Sequence, residues 1–139
     1  MPLTVRILTP DKALPPQEAD HVTIPGVEGE AGIRVGHAPY VSALKNGKVF
    51  IKSKDKANVI LAVRGGVAQV YQDQVTILTE GVMDPNHVSE ADLLKRLQGL
   101  LAATYEDPID EIKAKAEAQW IATELKVAGK QVPDLGKFA

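Results

Sequence analysis

Three histidines, at positions 21, 37 and 87, are the first residues to test for chemistry, because imidazole serves as metal ligand and as general base near neutral pH. Their spacing sets no two of them on one helical face, as a helical metal site requires, so each reads as a turn or strand histidine. Cysteine is absent, which removes disulfides, zinc–thiolate sites and thiol nucleophiles together. No Gly-x-Ser-x-Gly elbow offers a serine nucleophile, and no Gly-x4-Gly-Lys-Ser/Thr loop cradles a triphosphate. Gly26, Gly29 and Gly32 are spaced three apart, unlike the Gly-x-Gly-x-x-Gly of a dinucleotide loop, and no helical pattern follows them. Carboxylates are plentiful, but none is singled out by spacing as one of an acid and base pair. The expectation is a binding module with no catalytic, cofactor-binding or metal site.

One segment stands apart, Pro25-Gly26-Val27-Glu28-Gly29-Glu30-Ala31-Gly32-Ile33-Arg34-Val35-Gly36-His37-Ala38-Pro39, with four glycines in eleven residues. Glycine is dense where a backbone turns left-handed or packs closely, so the plain reading is two tight turns flanking a short strand over Ile33–Val35. Glu30 and His37 lie beside those turns, and polar groups on rigid loops commonly touch partners.

Two kinds of element must carry this segment. Residues 1–86 hold 23 Val, Ile or Thr against eight in residues 87–139, and β-branched side chains suit a pleated strand better than a helix. Leu3, Val5 and Ile7 alternate with Thr4 and Arg6 as in a half-buried strand. Similar runs recur at Val22–Ile24, Val49–Ile51, Asn58–Val63, Val67–Tyr71 and Val75–Leu78, separated by Gly-containing or charged turns. From about Met83–Asn86 onward the period changes from two to 3.6. Ser89, three residues before Asp92, is a helix start, and Leu93, Leu94, Leu97, Leu100 and Leu101 form one apolar stripe. Asp107 and Pro108 cap a second helix. Along it run one stripe of Ile112, Ala116, Thr123 and Val127 and a neighbouring one of Ala114, Ala118, Ile121, Leu125 and Ala128, with Gly129 as the stop. The predicted fold is α+β by segregation. An antiparallel β-sandwich spans 1–84, and a helical hairpin (about 88–104 and 108–128) with a short tail over 130–139 spans 85–139.

Composition narrows the function classes. Sixteen Lys and Arg against eighteen Asp and Glu give a net charge of −2, without the basic excess that nucleic-acid binding needs. No apolar run reaches the length of a membrane-spanning helix, and the N-terminus lacks a signal-peptide pattern, so a cytoplasmic protein is expected. Two apolar helix stripes are too much for a two-helix hairpin to bury alone, so it is expected to dock on the sandwich, on another protein, or on each in turn.

The string Pro25–Ile33, followed by Gly36-His37-Ala38-Pro39 and Ala43-Leu44-Lys45, resembles the epsilon subunits of F-type ATP synthases. Val5-Arg6-Ile7-Leu8-Thr9-Pro10 is similar to that family's first strand. Ala62–Val70 is similar to its Gly-Gly hairpin, and Val75–Leu78 to its last strand. The resemblance implies a non-catalytic rotor subunit of the central stalk, peripheral at the cytoplasmic face of a bacterial cell membrane. Its sandwich would grip the gamma subunit and sit on the c-ring, with Glu30, Gly32 and His37 in the c-ring/gamma contact. It further implies a hairpin that folds against the sandwich or extends along gamma into the alpha/beta catalytic head, where it hinders ATP hydrolysis. Two departures matter. Family members that bind ATP in the hairpin carry Ile/Leu-Asp-x-x-Arg-Ala at the start of the first helix. Here that stretch is Val88-Ser89-Glu90-Ala91-Asp92-Leu93, and the nearest string, Ile109-Asp110-Glu111-Ile112-Lys113-Ala114, has lysine for arginine and opens the second helix. Lysine lacks the planar guanidinium fork, so no tight ATP site is expected. Helix 108–128 is also not basic, which weakens electrostatic docking on an acidic loop of the head. Two other readings stand beside the rotor subunit. A free-standing nucleotide-sensing regulator would have to bind ATP without synthase partners. A small β-sandwich enzyme would need a pocket joining His21 or His37 to carboxylates.

Overall fold

The computed structural model describes residues 2–139, in two compact units that meet in sequence at Asp84 and Pro85. The first contains β1 (Leu3–Leu8), β2 (Gln17–Ala19), β3 (His21–Gly26), β4 (Gly29–Arg34), β5 (Tyr40–Leu44), β6 (Gly47–Lys52), β7 (Val59–Val63), β8 (Gly66–Tyr71), β9 (Gln74–Leu78) and β10 (Val82–Met83). Their hydrogen-bonded order is β10-β7-β6-β3-β5-β8-β9-β1-β2, with β4 on the other side of β3. One strand joins two groups: β3 pairs through His21–Thr23 with β6, then through Gly26 with Leu44 of β5. Such a change of partner is how one sheet path turns a corner and closes on a shared core. That core takes alternate residues from strands at both ends of the unit, including Leu3, Val5, Ile7, Val22, Ile24, Val49, Ile51, Val75 and Ile77.

The β-sandwich matches the sequence expectation, and its ladders are antiparallel with one exception. β1 lies parallel to β9, Val5 opposite Val75 and Ile7 opposite Ile77. Those strands are the first and the last long strand of the unit, so no hairpin turn dictates their direction. The Gly-rich segment also differs from two turns around a strand at Ile33–Val35. Pairing with β3 already begins at Gly29, making β4 the full second arm of a hairpin.

The second unit contains α1 (Glu90–Ala102) and α2 (Pro108–Val127), each slightly shorter than the predicted 88–104 and 108–128. The Ser89 hydroxyl accepts the Asp92 N–H at 3.3 Å and the Asp107 carboxylate accepts the Ile109 N–H at 2.9 Å. Both are N-caps of the expected kind. α2 ends in a Schellman motif: the Lys130 N–H donates to the Leu125 carbonyl, the Gly129 N–H donates to that of Lys126, and Gly129 adopts φ +76°. Of the two stripes on α2, Ala114, Ala118, Ile121 and Leu125 are buried against Leu93 and Leu97 of α1, whereas Ile112 is 68% exposed. Residues 130–139, expected as a tail, instead return to the helices through a 3-10 turn at Gly136–Phe138, with the Phe138 side chain buried. No helix among the described residues is long and apolar enough to cross a membrane.

Candidate interaction surface

Glu30, Gly32 and His37 are positioned by the β3–β4 hairpin. Gly26 faces Gly29, leaving Val27 and Glu28 as a two-residue tip. The tip is tied to β5 by Val27 N–H to the Ala43 carbonyl and Lys45 N–H to the Pro25 carbonyl, both 3.0 Å. Val27, Glu28 and Glu30 are all exposed there.

Gly32 lies diagonally across the ladder from His21, two positions from its direct partner Arg34, and a Cβ at this position would stand 2.9 Å from His21 Nε2. The bare backbone therefore makes room for an imidazole lying on the sheet. His21 faces Arg34 on one side and Lys52 on the other. Burial, and secondly the positive charge of Arg34 and Lys52, lowers its pKa below 6.5, because desolvation and like charge both disfavour the imidazolium.

His37 follows the far end of β4. Its N–H donates to the Arg34 carbonyl at 3.1 Å and its Nδ1 to the Ala38 carbonyl at 2.7 Å. Its ring meets Tyr40 edge-on, 5.7 Å between centroids. The adjoining Gly36 N–H donates to Asp73 Oδ1 at 2.7 Å, in the β8–β9 turn where Gln72 and Asp73 adopt φ +47° and +60°. That is the signature of a type I′ hairpin turn. Glu30 and His37 thus belong to opposite ends of one strand. Four residue steps of extended chain, about 13 Å, separate Glu30 from Arg34 before the loop to His37 begins. The structure does not gather the three residues into one small site; it distributes them along the hairpin.

Sequence reasoning missed one feature of this unit, the outer face of three neighbouring strands. Directly paired residues point to one side of a sheet, so Val41, Ala43, Val67, Gln69, Tyr71, Thr76 and Leu78 share the face of β5, β8 and β9 that turns away from the core. Val41 is 68% exposed, Tyr71 61% and Leu78 41%. Leu8 on β1 continues the row through its register with Leu78, and a cleft lined by Leu8, Pro10, Val67 and Leu78 lies at its end. The signal was present in Val67-Ala68-Gln69-Val70-Tyr71, where Val67 and Tyr71 alternate with Ala68 and Val70, so that apolar side chains fall on both faces. A strand apolar on both faces needs cover on both.

Comparison with known proteins agrees with this architecture. Residues 2–85 match the family model described as ATP synthase, Delta/Epsilon chain, beta-sandwich domain. The chloroplastic ATP synthase epsilon chain of Phaeodactylum tricornutum is 34% identical over 128 residues, 92% of each chain. The ATP synthase epsilon chain of Trichodesmium erythraeum is 32% identical over 141 residues, 95% of this chain and 99% of that one. Among solved structures, a chain of the Euglena gracilis mitochondrial ATP synthase OSCP/F1/c-ring assembly superposes with a TM-score of 0.75 at 22% identity, covering 91% of this chain and 81% of its own. A chain of the Tetrahymena thermophila mitochondrial ATP synthase central stalk and c-ring does so at 0.60 and 14% identity, covering 92% and 97%. At those identities the two structures share the fold alone. The family match and the near full-length relatives carry the assignment: this chain belongs to the ATP synthase delta/epsilon chain family.

Proposed function

We propose that this subunit of a rotary ATP synthase is the non-catalytic rotor piece of the central stalk, coupling ion flow through the membrane sector to ATP synthesis in the alpha/beta head. The observation that carries the reading is the apolar row of Ala43, Val67, Leu78 and Leu8 across the outer face of β5, β8, β9 and β1, with Val41 and Tyr71 exposed on the same face, because grouped exposed apolar side chains of this kind mark an interaction surface. In this reading the gamma shaft covers it, with Tyr71 at one end of the face. The tip at Val27–Gly29, with Glu30 beside it, supplies polar groups to the loops of the c-ring, and Gly32 keeps that arm thin above His21. A hydrogen-bonded sandwich is stiff enough to pass torque between two partners gripped at different places. The subunit then lies peripherally at the cytoplasmic face of a bacterial cell membrane, held through the complex, and the helical unit can regulate hydrolysis by meeting the head.

The test is affinity capture of the tagged full-length chain from detergent-solubilised membranes, with co-purifying subunits identified by mass. Gamma, the catalytic head and the c-ring are expected together with the wild-type chain. A Val41→Glu/Val67→Glu double variant is expected to lose gamma, and Glu30→Lys to weaken retention of the c-ring while gamma stays. Recovery of the chain alone from membranes whose synthase is intact would overturn the reading.

A further inference from the structure

The segment after α2 is built as a device rather than left as an end. Beyond the Gly129 stop the chain runs back through Val132-Pro133-Asp134-Leu135. The Asp134 carboxylate accepts the Gly136 N–H at 2.8 Å, and Gly136 takes φ +57°. This small turn aims two successive side chains at different tasks. Phe138, 1% exposed, enters the apolar cluster shared by Leu93, Leu97, Ile121 and Leu125. Lys137 reaches the end of α1 and donates through Nζ to the Ala103 carbonyl at 2.6 Å.

The second contact answers a local shortage. Helix C-termini present unpaired carbonyls and the negative end of the dipole, which a cation there stabilises. α2 carries Lys126 in its last turn, but α1 has no basic residue in its own. Lys137 supplies that charge from outside the helix. It is also held over two rings, 5.1 Å from the Tyr105 centroid and 5.4 Å from that of Phe138. The two rings pack against each other at 6.1 Å, and the Tyr105 hydroxyl donates to the Leu100 carbonyl at 2.9 Å.

We propose that residues 130–139 are a strap that holds α1 and α2 together, with Phe138 as the bolt and Lys137 as the cap of α1. Separating the helices then requires Phe138 to leave the hairpin core and α1 to lose its C-terminal cation in the same step. The inference rests on this unit alone and does not depend on which partner covers the β unit.

The full-length chain has no cysteine, so Lys95→Cys and Lys115→Cys, on exposed positions of α1 and α2, can carry a spin-label pair. The α1–α2 distance distribution is read by electron resonance, and amide hydrogen exchange is read in the last turn of α1. Phe138→Ala, and a chain ending at Lys130, are expected to broaden the distribution and to speed exchange there by about tenfold or more, with sandwich amides unchanged. Phe138→Leu, which refills the site, is expected to restore most of the protection. Lys137→Met keeps the stem and removes the charge, and is expected to speed exchange roughly threefold in the last turn of α1 alone. An unchanged distribution with unchanged exchange in Phe138→Ala and in the shortened chain would overturn the proposal. If Phe138→Ala unfolds the helical unit outright, wild-type exchange in the last turn of α1 in Lys137→Met would overturn it instead.

Discussion

The β unit closes its core with residues from strands far apart in the chain, Val5 of β1 against Val75 of β9 and Val22 of β3 against Ile51 of β6. The helical unit has only two neighbouring helices for the same purpose, and its core is completed by Phe138 from the end of the chain. The first arrangement distributes each contact over a ladder of backbone hydrogen bonds. The second concentrates it in a few side chains at one seam. The units therefore differ in where a single substitution hurts most: at backbone crowding in the sandwich, and at seam volume in the hairpin.

Gly66 is the sharpest point of the first kind. It opens β8 at φ +122°, and a Cβ built there falls 1.9 Å from the Leu78 carbonyl oxygen and 2.9 Å from the Leu78 carbonyl carbon. Both neighbours are backbone of β9, so no side chain can swing aside. Gly66→Ala is expected to lower the stability of the β unit by about 3 kcal/mol or more, read as a lower urea midpoint. A change within about 0.5 kcal/mol, the usual range for harmless surface substitutions, would mean that the ladder yields and the contrast between the units is false.

Leu125 tests the hairpin seam. It is fully buried, while Ile112 on the same helix is 68% exposed. Leu125→Ala is expected to cost about 2–4 kcal/mol through lost burial and a residual cavity. Ile112→Ala is expected to stay within about 0.5 kcal/mol. Hydrogen exchange along α2 measures both in the intact chain, and equal effects would erase the distinction between the two faces.

That pair also marks how far the sequence could be read. Spacing identified both stripes on α2 but did not rank them, because periodicity gives a face and not what covers it. In the sandwich, the alternation around Val5 and Ile7 was legible since it depends on neighbours only. The parallel β1–β9 ladder was not, because its partners lie about seventy residues apart and nothing local selects their direction. The candidate site divides in the same way. The motif around Glu30, Gly32 and His37 was visible as residues, but their separation along β4 depends on a ladder that begins at Gly29, where turn-rich composition concealed a strand. The outer apolar face needs the register of β5, β8 and β9 before Val41, Val67 and Leu78 can be seen to adjoin. Phe138 carried no local signal at all, since its burial follows from a return of the chain.

The smallest expected effect is electrostatic and belongs to the β3–β4 arm. His21 is held below its ordinary pKa of 6.5, first by burial and then by Arg34 and Lys52. In the unfolded chain those influences are gone and the imidazole titrates near 6.5. Above that value both states are neutral and His21 contributes no pH dependence. As pH falls through 6.5 the unfolded chain takes up the proton first, so the folded state loses stability until the folded pKa is also passed. Carboxylates shift the midpoint over the same range, so the informative quantity is a difference between two chains. His21→Gln keeps a polar side chain beside Gly32 but cannot titrate. Between pH 7 and pH 5 its urea midpoint is expected to fall less than that of the wild type, while from pH 7 to pH 8.5 the two slopes coincide. Equal slopes on the acid side would show that the ring is as freely protonated in the folded arm as in the unfolded chain. Gly32 would then owe its bare backbone to something other than the imidazole lying across it.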